Sequence, residues 1–324
     1  MMLQKRSGQL GLIVFSLVIL TVFGLTGEAW GSKSALVYQV EPDEAASFKV
    51  SSYLSPAANR GLFLTADAYL VADLSGGGQV LRHNEEAIFP IASVTKLMTA
   101  LVARDLLAED EPIVVSQQAW DTYGDSAKLR LGQTLPLSVA LYPLLLSSSN
   151  DLAEAIAERA GRDLFIAEMN KRASRLKMNQ TFFVDPSGLS PENVSTAADL
   201  VKLAQYLYRR EPEILAITRL DDYAYHDQTW RNLNDAAKMS GYFGGKNGYT
   251  DEANRTLLSI FSVPITDASE TEPLLATEKQ DRLLAVILLA SDGQKKDTQN
   301  LIKYLDNYVY YLGAQNGFIP VGSE

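Results

Sequence analysis

The apolar run Leu283 to Ala290 (LLAVILLA), near the C-terminal end, constrains this chain more than any other feature. It reads as a buried strand, and a buried strand needs partners. The matching segments lie far away in the chain. Tyr69-Leu70-Val71-Ala72 reads as a second buried strand, Ser75-Gly76-Gly77-Gly78 as a turn, and Gln79-Val80-Leu81-Arg82 as the return strand of a hairpin. Arg255 to Val263 is a further strand, separated from Leu283 by an acidic loop, Thr266 to Glu278, that reads as a long hairpin tip.

The middle of the chain has helical spacing instead. Apolar positions Leu97, Ala100, Leu101 and Ala103 place a helix over Ser93 to Leu107. Leu137–Leu146, Asp151–Ala160 and Ala167–Leu176 follow as helical stretches, and Ser195 or Thr196 caps another. Phe182 to Gly188 reads as a strand running into a turn, and Asn300 to Leu312 as a closing helix. The order is strands, helices, strands, helix. It implies an α+β fold: an antiparallel sheet with strands from both chain ends, flanked by helices, with a helical insertion subdomain between them.

Composition narrows the function. The 324 residues carry a formal net charge of -10 and no dense basic run, so no nucleic-acid partner is expected. The chain has no cysteine, which excludes disulfides and thiol catalysis. At the N-terminus Lys5 and Arg6 precede the apolar stretch Leu10 to Leu25, and Ala29-Trp30-Gly31 supplies small residues at cleavage-site spacing. Residues 1–31 are therefore expected to be an export signal, with a retained membrane anchor through residues 10–25 as the alternative. Either places the remainder outside the cytoplasm, in the periplasm or at the cell-wall face. Residues 32–60 read as a linker, 61–313 as the folded domain and 314–324 as a short tail.

Three short motifs carry chemistry. Ser93 and Lys96 are three apart, so on a helix the hydroxyl and amine share one face. A serine is a weak nucleophile until a base takes its proton, and lysine can serve only with a lowered pKa. An S-x-x-K spacing alone is expected about once by chance in such a chain, and an exposed serine and lysine would be the ordinary reading. Ser148 and Asn150 lie directly before a helix. There Ser148 can relay protons and Asn150 can hold the lysine and the substrate amide, although such residues are usually caps. Lys246-Asn247-Gly248 follows Gly244-Gly245 at a strand edge, where glycine admits a substrate backbone and Lys246 supplies a cation. Asn-Gly is also a common hairpin signal.

Together these segments resemble the low-molecular-mass penicillin-binding proteins of the D-alanyl-D-alanine carboxypeptidase type, serine peptidases of the β-lactamase/transpeptidase-like superfamily. The resemblance rests on Pro90–Ala100 around the serine, Leu145–Asp151, Pro186-Ser187-Gly188-Leu189, Ser195–Leu200 and Gly245–Thr250, and it spans about residues 61 to 313. It implies an acyl-enzyme at Ser93, Lys96 as proton acceptor, help from Ser148, and substrate contacts from Asn150, Lys246, Asn247 and Gly248. It further implies that Arg282, at the start of the C-terminal strand, holds the substrate's terminal carboxylate, as a guanidinium suits a carboxylate bidentately. The implied substrates are peptidoglycan pentapeptides or cross-linked peptides, with β-lactam antibiotics as inhibitors and no cofactor.

Two positions depart from the family pattern. Asn247 replaces the usual Thr or Ser, and Asn254 stands where a small residue, often glycine, is usual. The chain also ends soon after the expected closing helix, as the shorter, cross-link-cutting endopeptidases of that family do. A carboxypeptidase, an endopeptidase and a catalytically weak wall-binding homologue therefore all remain open. Rival chemistries have less support. Only His83 and His226 are present, with no G-x-S-x-G and no H-E-x-x-H; a β-lactamase needs a carboxylate for fast deacylation, and no recognisable motif surrounds Glu192, a candidate by region.

Overall fold

The two apolar runs from opposite chain ends become neighbours. Strand Ala68–Asp73 pairs antiparallel with Lys279–Ser291, setting Val71 opposite Val286 and Ala72 opposite Ala285. These positions come from a computed structural model that describes residues 52–55, 61–76, 78–124, 127–267 and 278–312. The expected export segment, most of the linker, the centre of the acidic loop and the tail lie outside the described residues. At the base of that loop the Asp267 amide donates to the Glu278 carbonyl at 2.8 Å.

The strands in chain order are β1 (Tyr53–Leu54), β2 (Ala68–Asp73), β3 (Gln79–His83), β4 (Phe89–Pro90), β5 (Pro112–Val114), β6 (Thr134–Pro136), β7 (Val194–Ser195), β8 (Asp222–Tyr225), β9 (Gln228–Arg231), β10 (Tyr242–Thr250), β11 (Asn254–Asp267), β12 (Lys279–Ser291) and β13 (Tyr310–Tyr311). The main helices are α1 (Thr95–Leu106), α2 (Gln117–Trp120), α3 (Leu137–Leu145), α4 (Asn150–Ala160), α5 (Arg162–Arg175), α6 (Ala197–Arg210), α7 (Pro212–Thr218) and α8 (Gln294–Tyr308). The seven-stranded sheet runs β1-β13-β11-β12-β2-β3, with β10 also paired to β11. Its pairings are antiparallel except the short contact of β13 with β11. Three two-stranded ladders, β4–β7, β5–β6 and β8–β9, stand outside it. The expected α+β architecture is therefore the one found.

The LLAVILLA run lacks alternation because both sheet faces are covered. Successive side chains point to opposite faces. Leu70, Leu258, Ile260, Ala285 and Ile287 pack with the helical insertion, including Leu97, Leu101 and Leu152. Val71, Leu257, Phe261, Val286 and Leu288 pack on the other side with Leu301, Tyr304 and Leu305 of α8. No helix among the described residues is long and apolar enough to cross a membrane.

Boundaries differ from expectation where a local interaction outweighs periodicity. Ser93 belongs to a 3-10 turn, Ala92–Val94, ahead of α1. The closing helix starts earlier, at Gln294, and ends at Tyr308, because Val309 turns extended and Tyr310 and Tyr311 join the sheet. The Phe182 strand is reduced to one bridge with Val194. Thr196 is the cap of α6, accepting from the Asp199 amide, and Ser149 caps α4 by accepting from the Leu152 amide.

Asp73, at the end of β2, ties β1 to β12. It is fully buried, accepts from the Tyr53 hydroxyl at 2.5 Å and from the Ser75 amide at 2.7 Å, and faces the Arg282 guanidinium at 3.4 Å. Removing one member of such a pair strands the other charge away from water. Asp73→Ala is expected to lower unfolding free energy by about 3–5 kcal/mol in chemical denaturation. A change below about 1 kcal/mol would show the cluster to be peripheral.

Candidate active site

Ser93 is presented by a strained turn gripped from three sides. Its predecessor Ala92 has φ 46°, a left-handed conformation uncommon outside glycine. The Ile91 amide donates to the Asn193 carbonyl at 3.0 Å, and the Ile91 carbonyl accepts from the Thr256 hydroxyl at 2.9 Å. Two glycines let other backbone segments close in. A Cβ on Gly188 would lie 1.9 Å from the Ala92 carbonyl oxygen, and one on Gly248 would lie 2.6 Å from the Ser93 amide nitrogen. Edge strand β10 thus runs directly against the Ser93 backbone, and Ser93 itself stays partly accessible. A main-chain amide in this setting can stabilise an oxyanion developing at the serine.

Lys96 is completely buried one helical turn on. Its Nζ lies 2.9 Å from Ser93 Oγ, 2.7 Å from Asn150 Oδ1 and 2.6 Å from the Ser187 carbonyl oxygen. The last two can only accept, so they take two N–H bonds. The third neighbour is a hydroxyl that can either accept or donate. A neutral amine, with two hydrogens and one lone pair, satisfies all three when Ser93 donates to it. Burial is the main force holding the Lys96 pKa well below the usual lysine value, and the Lys246 charge adds to it; Asp185, Asp151 and Glu154 act in the opposite sense.

Lys246 is 2% exposed on β10, opposite Leu258. Burial lowers its pKa to about 7. Its Nζ donates to the Asn247 carbonyl at 2.8 Å and lies 3.4 Å from Asn247 Oδ1. The Asn247 amide group donates to the Leu233 carbonyl at 3.4 Å. Asn254, the other departure, has φ 51°. That conformation suits glycine or asparagine, and its side chain bonds Asp292 at 2.7 Å.

Ser148 sits between α3 and α4 with φ 60°, half-buried. Asn150, two residues on, bridges two parts of the site: its Oδ1 meets Lys96 while its Nδ2 donates to the Tyr123 carbonyl at 2.6 Å. Sequence reasoning missed the Ser187 carbonyl, because a main-chain oxygen has no residue signature. It also missed a cluster of charges. A cavity of about 640 Å³ beside Asn247, Gly248 and Tyr249 is lined by Arg255, Lys295 and Lys296 together with Asp235 and Asp292, none of which sits in a recognisable motif, and Lys295 lies 3.8 Å from Asp235.

Arg282 does not join this group, and its expected contact with substrate is corrected. It pairs across the sheet with Val263, whereas Lys246 pairs with Leu258 of the same strand, so the two lie about 17 Å apart along the strand direction. Its guanidinium is committed to Asp73 and stacks on the Tyr311 ring, 3.1 Å from the centroid. Proximity in sequence to a buried strand did not reveal which end of that strand faces the serine. His83 is exposed on β3, His226 is exposed at the β8–β9 turn, and Glu192 is exposed after the Ser187 turn. Among the described residues no group of carboxylates and histidines is assembled as a metal site.

A family model described as D-alanyl-D-alanine carboxypeptidase matches residues 56–263. The chain is similar to a D-alanyl-D-alanine endopeptidase of Pseudomonas aeruginosa, 37% identical over 210 residues, covering 60% of this chain and 66% of that protein, just under two thirds of its length. Among solved structures it is similar to penicillin-binding protein D2 of Listeria monocytogenes in its ampicillin-bound form, with TM-score 0.61, 27% identity, and coverage of 75% of this chain and 98% of that one. It also shares the fold of a D-alanyl-D-alanine carboxypeptidase from Mycobacterium tuberculosis, with TM-score 0.67, 24% identity, and coverage of 78% and 95%. The position of Arg282 has a direct consequence. Arg282→Gln is expected to lower thermal stability yet leave the acylation rate of Ser93, per folded molecule, within about twofold. A loss beyond tenfold would return Arg282 to the site.

Proposed function

The chain belongs to the D-alanyl-D-alanine carboxypeptidase family, and from that premise we propose that it is a serine-type peptidase releasing terminal D-alanine from peptidoglycan stem peptides through an acyl-enzyme at Ser93. The observation that carries this reading is Lys96 Nζ at 2.9 Å from Ser93 Oγ, with two carbonyl oxygens taking its N–H bonds. The Ser93 proton passes to the neutral amine as Oγ attacks the carbonyl of the penultimate D-alanine. The oxyanion is received by the Ser93 amide and the β10 backbone beside Gly248. The C–N bond breaks, and the leaving amine takes, by way of Ser148, the proton that Lys96 accepted, which leaves the Lys96 amine neutral again. Water then attacks the ester and regenerates Ser93. Lys246 and Asn247 meet the substrate's anionic end, with Asn150 holding the lysine and the substrate amide.

The accompanying assignments are part of the same proposal. Residues 61–313 form the peptidase domain, residues 1–31 direct export or anchor the chain, and it works on the extracytoplasmic side. β-Lactams acylate the same serine.

A second reading is favoured by one observation. The open cavity of about 640 Å³ on the far side of Asn247 and Gly248 leaves more room next to β10 than a single released D-alanine requires. Its lining mixes Arg255, Lys295 and Lys296 with Asp235 and Asp292, a charged set suited to a leaving group that is itself a peptide with charged ends, as in endopeptidase cleavage of cross-links. Incubation with purified muropeptides separates the two by product mass. Loss of one D-alanine from pentapeptide supports the first reading, and halving of cross-linked dimers supports the second.

Labelling with a fluorescent penicillin tests the acylation step common to both. Ser93→Ala is expected to abolish labelling, and Lys96→Ala to slow it by roughly 10²- to 10⁴-fold. Because the base must be neutral and its pKa is depressed, the wild-type rate should rise with pH along a limb well below the usual lysine range. A limb near the ordinary lysine value, or an unchanged rate in Lys96→Ala, would remove Lys96 as the base.

A further inference from the structure

Of the three neighbours of the Lys96 amine, the Ser187 carbonyl has the least regular support. It lies in the irregular segment 184–190, between the Phe182 bridge and β7. Asp185 holds that segment in shape. Its Oδ1 accepts from the Ser187 amide at 2.7 Å, the Ser187 hydroxyl at 2.7 Å and the Gly188 amide at 2.6 Å, while Oδ2 accepts from the Ser190 amide at 2.8 Å. Hydrogen bonds to a carboxylate are roughly twice as strong as neutral ones. Asn193 clamps the segment from the other side. Its Oδ1 accepts from the Val184 and Asp185 amides, and its Nδ2 donates to the Asp185 carbonyl and to Thr95 Oγ1 at the start of α1. The Thr99 hydroxyl, also on α1, donates to the Pro186 carbonyl at 2.5 Å. The segment is therefore fastened to the helix that carries Lys96 and, through Gly188, pressed against Ala92.

This arrangement has a consequence for the amine. A tetrahedral nitrogen with two N–H bonds fixed on Asn150 and Ser187 has its remaining corner directed at Ser93. If the Ser187 carbonyl moves away, one N–H loses its acceptor and the amine can turn that hydrogen toward Ser93, which then has no base. We propose that Asp185 is a positioning residue for proton transfer from Ser93 to Lys96, acting by fixing the Ser187 carbonyl against the amine. The inference rests on reading Ser93 and Lys96 as nucleophile and base.

Charge and geometry are separable here. The ionisable groups acting on Lys96 are Lys246 on β10, Asp151 and Glu154 on α4, and Asp185 itself. Asp185 favours the ammonium form, so removing its charge alone eases deprotonation and moves the acid limb of acylation to lower pH. Removing its geometry lowers the rate on the plateau.

The test is the second-order rate of fluorescent-penicillin labelling against pH, per folded molecule, for wild type, Asp185→Asn and Asp185→Glu. Asp185→Asn is expected to lower the plateau by about 10- to 100-fold while shifting the limb to lower pH. Asp185→Glu keeps the charge but displaces the carboxylate by one methylene. It is expected to lower the plateau and leave the limb in place. A purely structural role would reduce the amount of folded protein and leave the plateau per folded molecule unchanged in both variants, even though the lost charge shifts the limb of Asp185→Asn, so a wild-type plateau in both variants overturns the proposal. Should Asp185→Asn not fold, a wild-type plateau in Asp185→Glu overturns it alone. Absence of labelling at Ser93 in the wild-type protein defeats the underlying nucleophile assignment instead.

Discussion

An amine shut away from water must be either neutral or surrounded by acceptors, and Lys96 is held so that both conditions bear on it at once. Two carbonyl oxygens and one hydroxyl are its neighbours, a set that matches a neutral amine if the hydroxyl donates. Each neighbour comes from a different part of the chain: Ser93 from the 3-10 turn, Asn150 from the start of α4, and Ser187 from the segment before β7. Much of the surrounding architecture can be read as the means of keeping those three parts in register. The Thr256 bond to Ile91, the Asn193 bond to Thr95 Oγ1 and the close approach of Gly188 to Ala92 and of Gly248 to Ser93 all fall within residues 91–95.

The sheet supplies rigidity on the opposite side. Strands β2 and β12 are buried on both faces, so a shift of either would disturb both apolar clusters. Edge strand β10 is different, since β11 is its one partner in the sheet. Its side chains alternate. Lys246 and Gly248 are buried, while Asn247 and Tyr249 are partly or largely exposed beside the cavity lined by Arg255, Lys295, Lys296, Asp235 and Asp292. One short strand thus offers a backbone to the serine and a cation to the interior. On its outer side it lines an open cavity of about 640 Å³.

The fold was largely legible in the residues because apolar runs and helical spacing report burial directly. LLAVILLA and YLVA had to be inside, and their separation in the chain implied a sheet closed by both ends. The site was legible as far as side chains in short motifs could reveal it: Ser93, Lys96, Asn150, Lys246 and Gly248 do lie together or along one strand. Ser187 and Asp185 were not, since one contributes a main-chain oxygen and the other acts through backbone amides. Arg282 was misplaced because the residues around it define a strand without showing which end of that strand meets the serine.

Sequence by itself determined the class of fold, the helical insertion and the local pairing of a hydroxyl with an amine three residues on, because each depends on spacing within one element. Tertiary structure decided whether that amine is neutral, which carbonyls hold it, and which cations stand near Asn247. Those properties depend on desolvation and on atoms from segments nearly a hundred residues apart, such as Lys96 and Ser187, and no spacing along the chain encodes them.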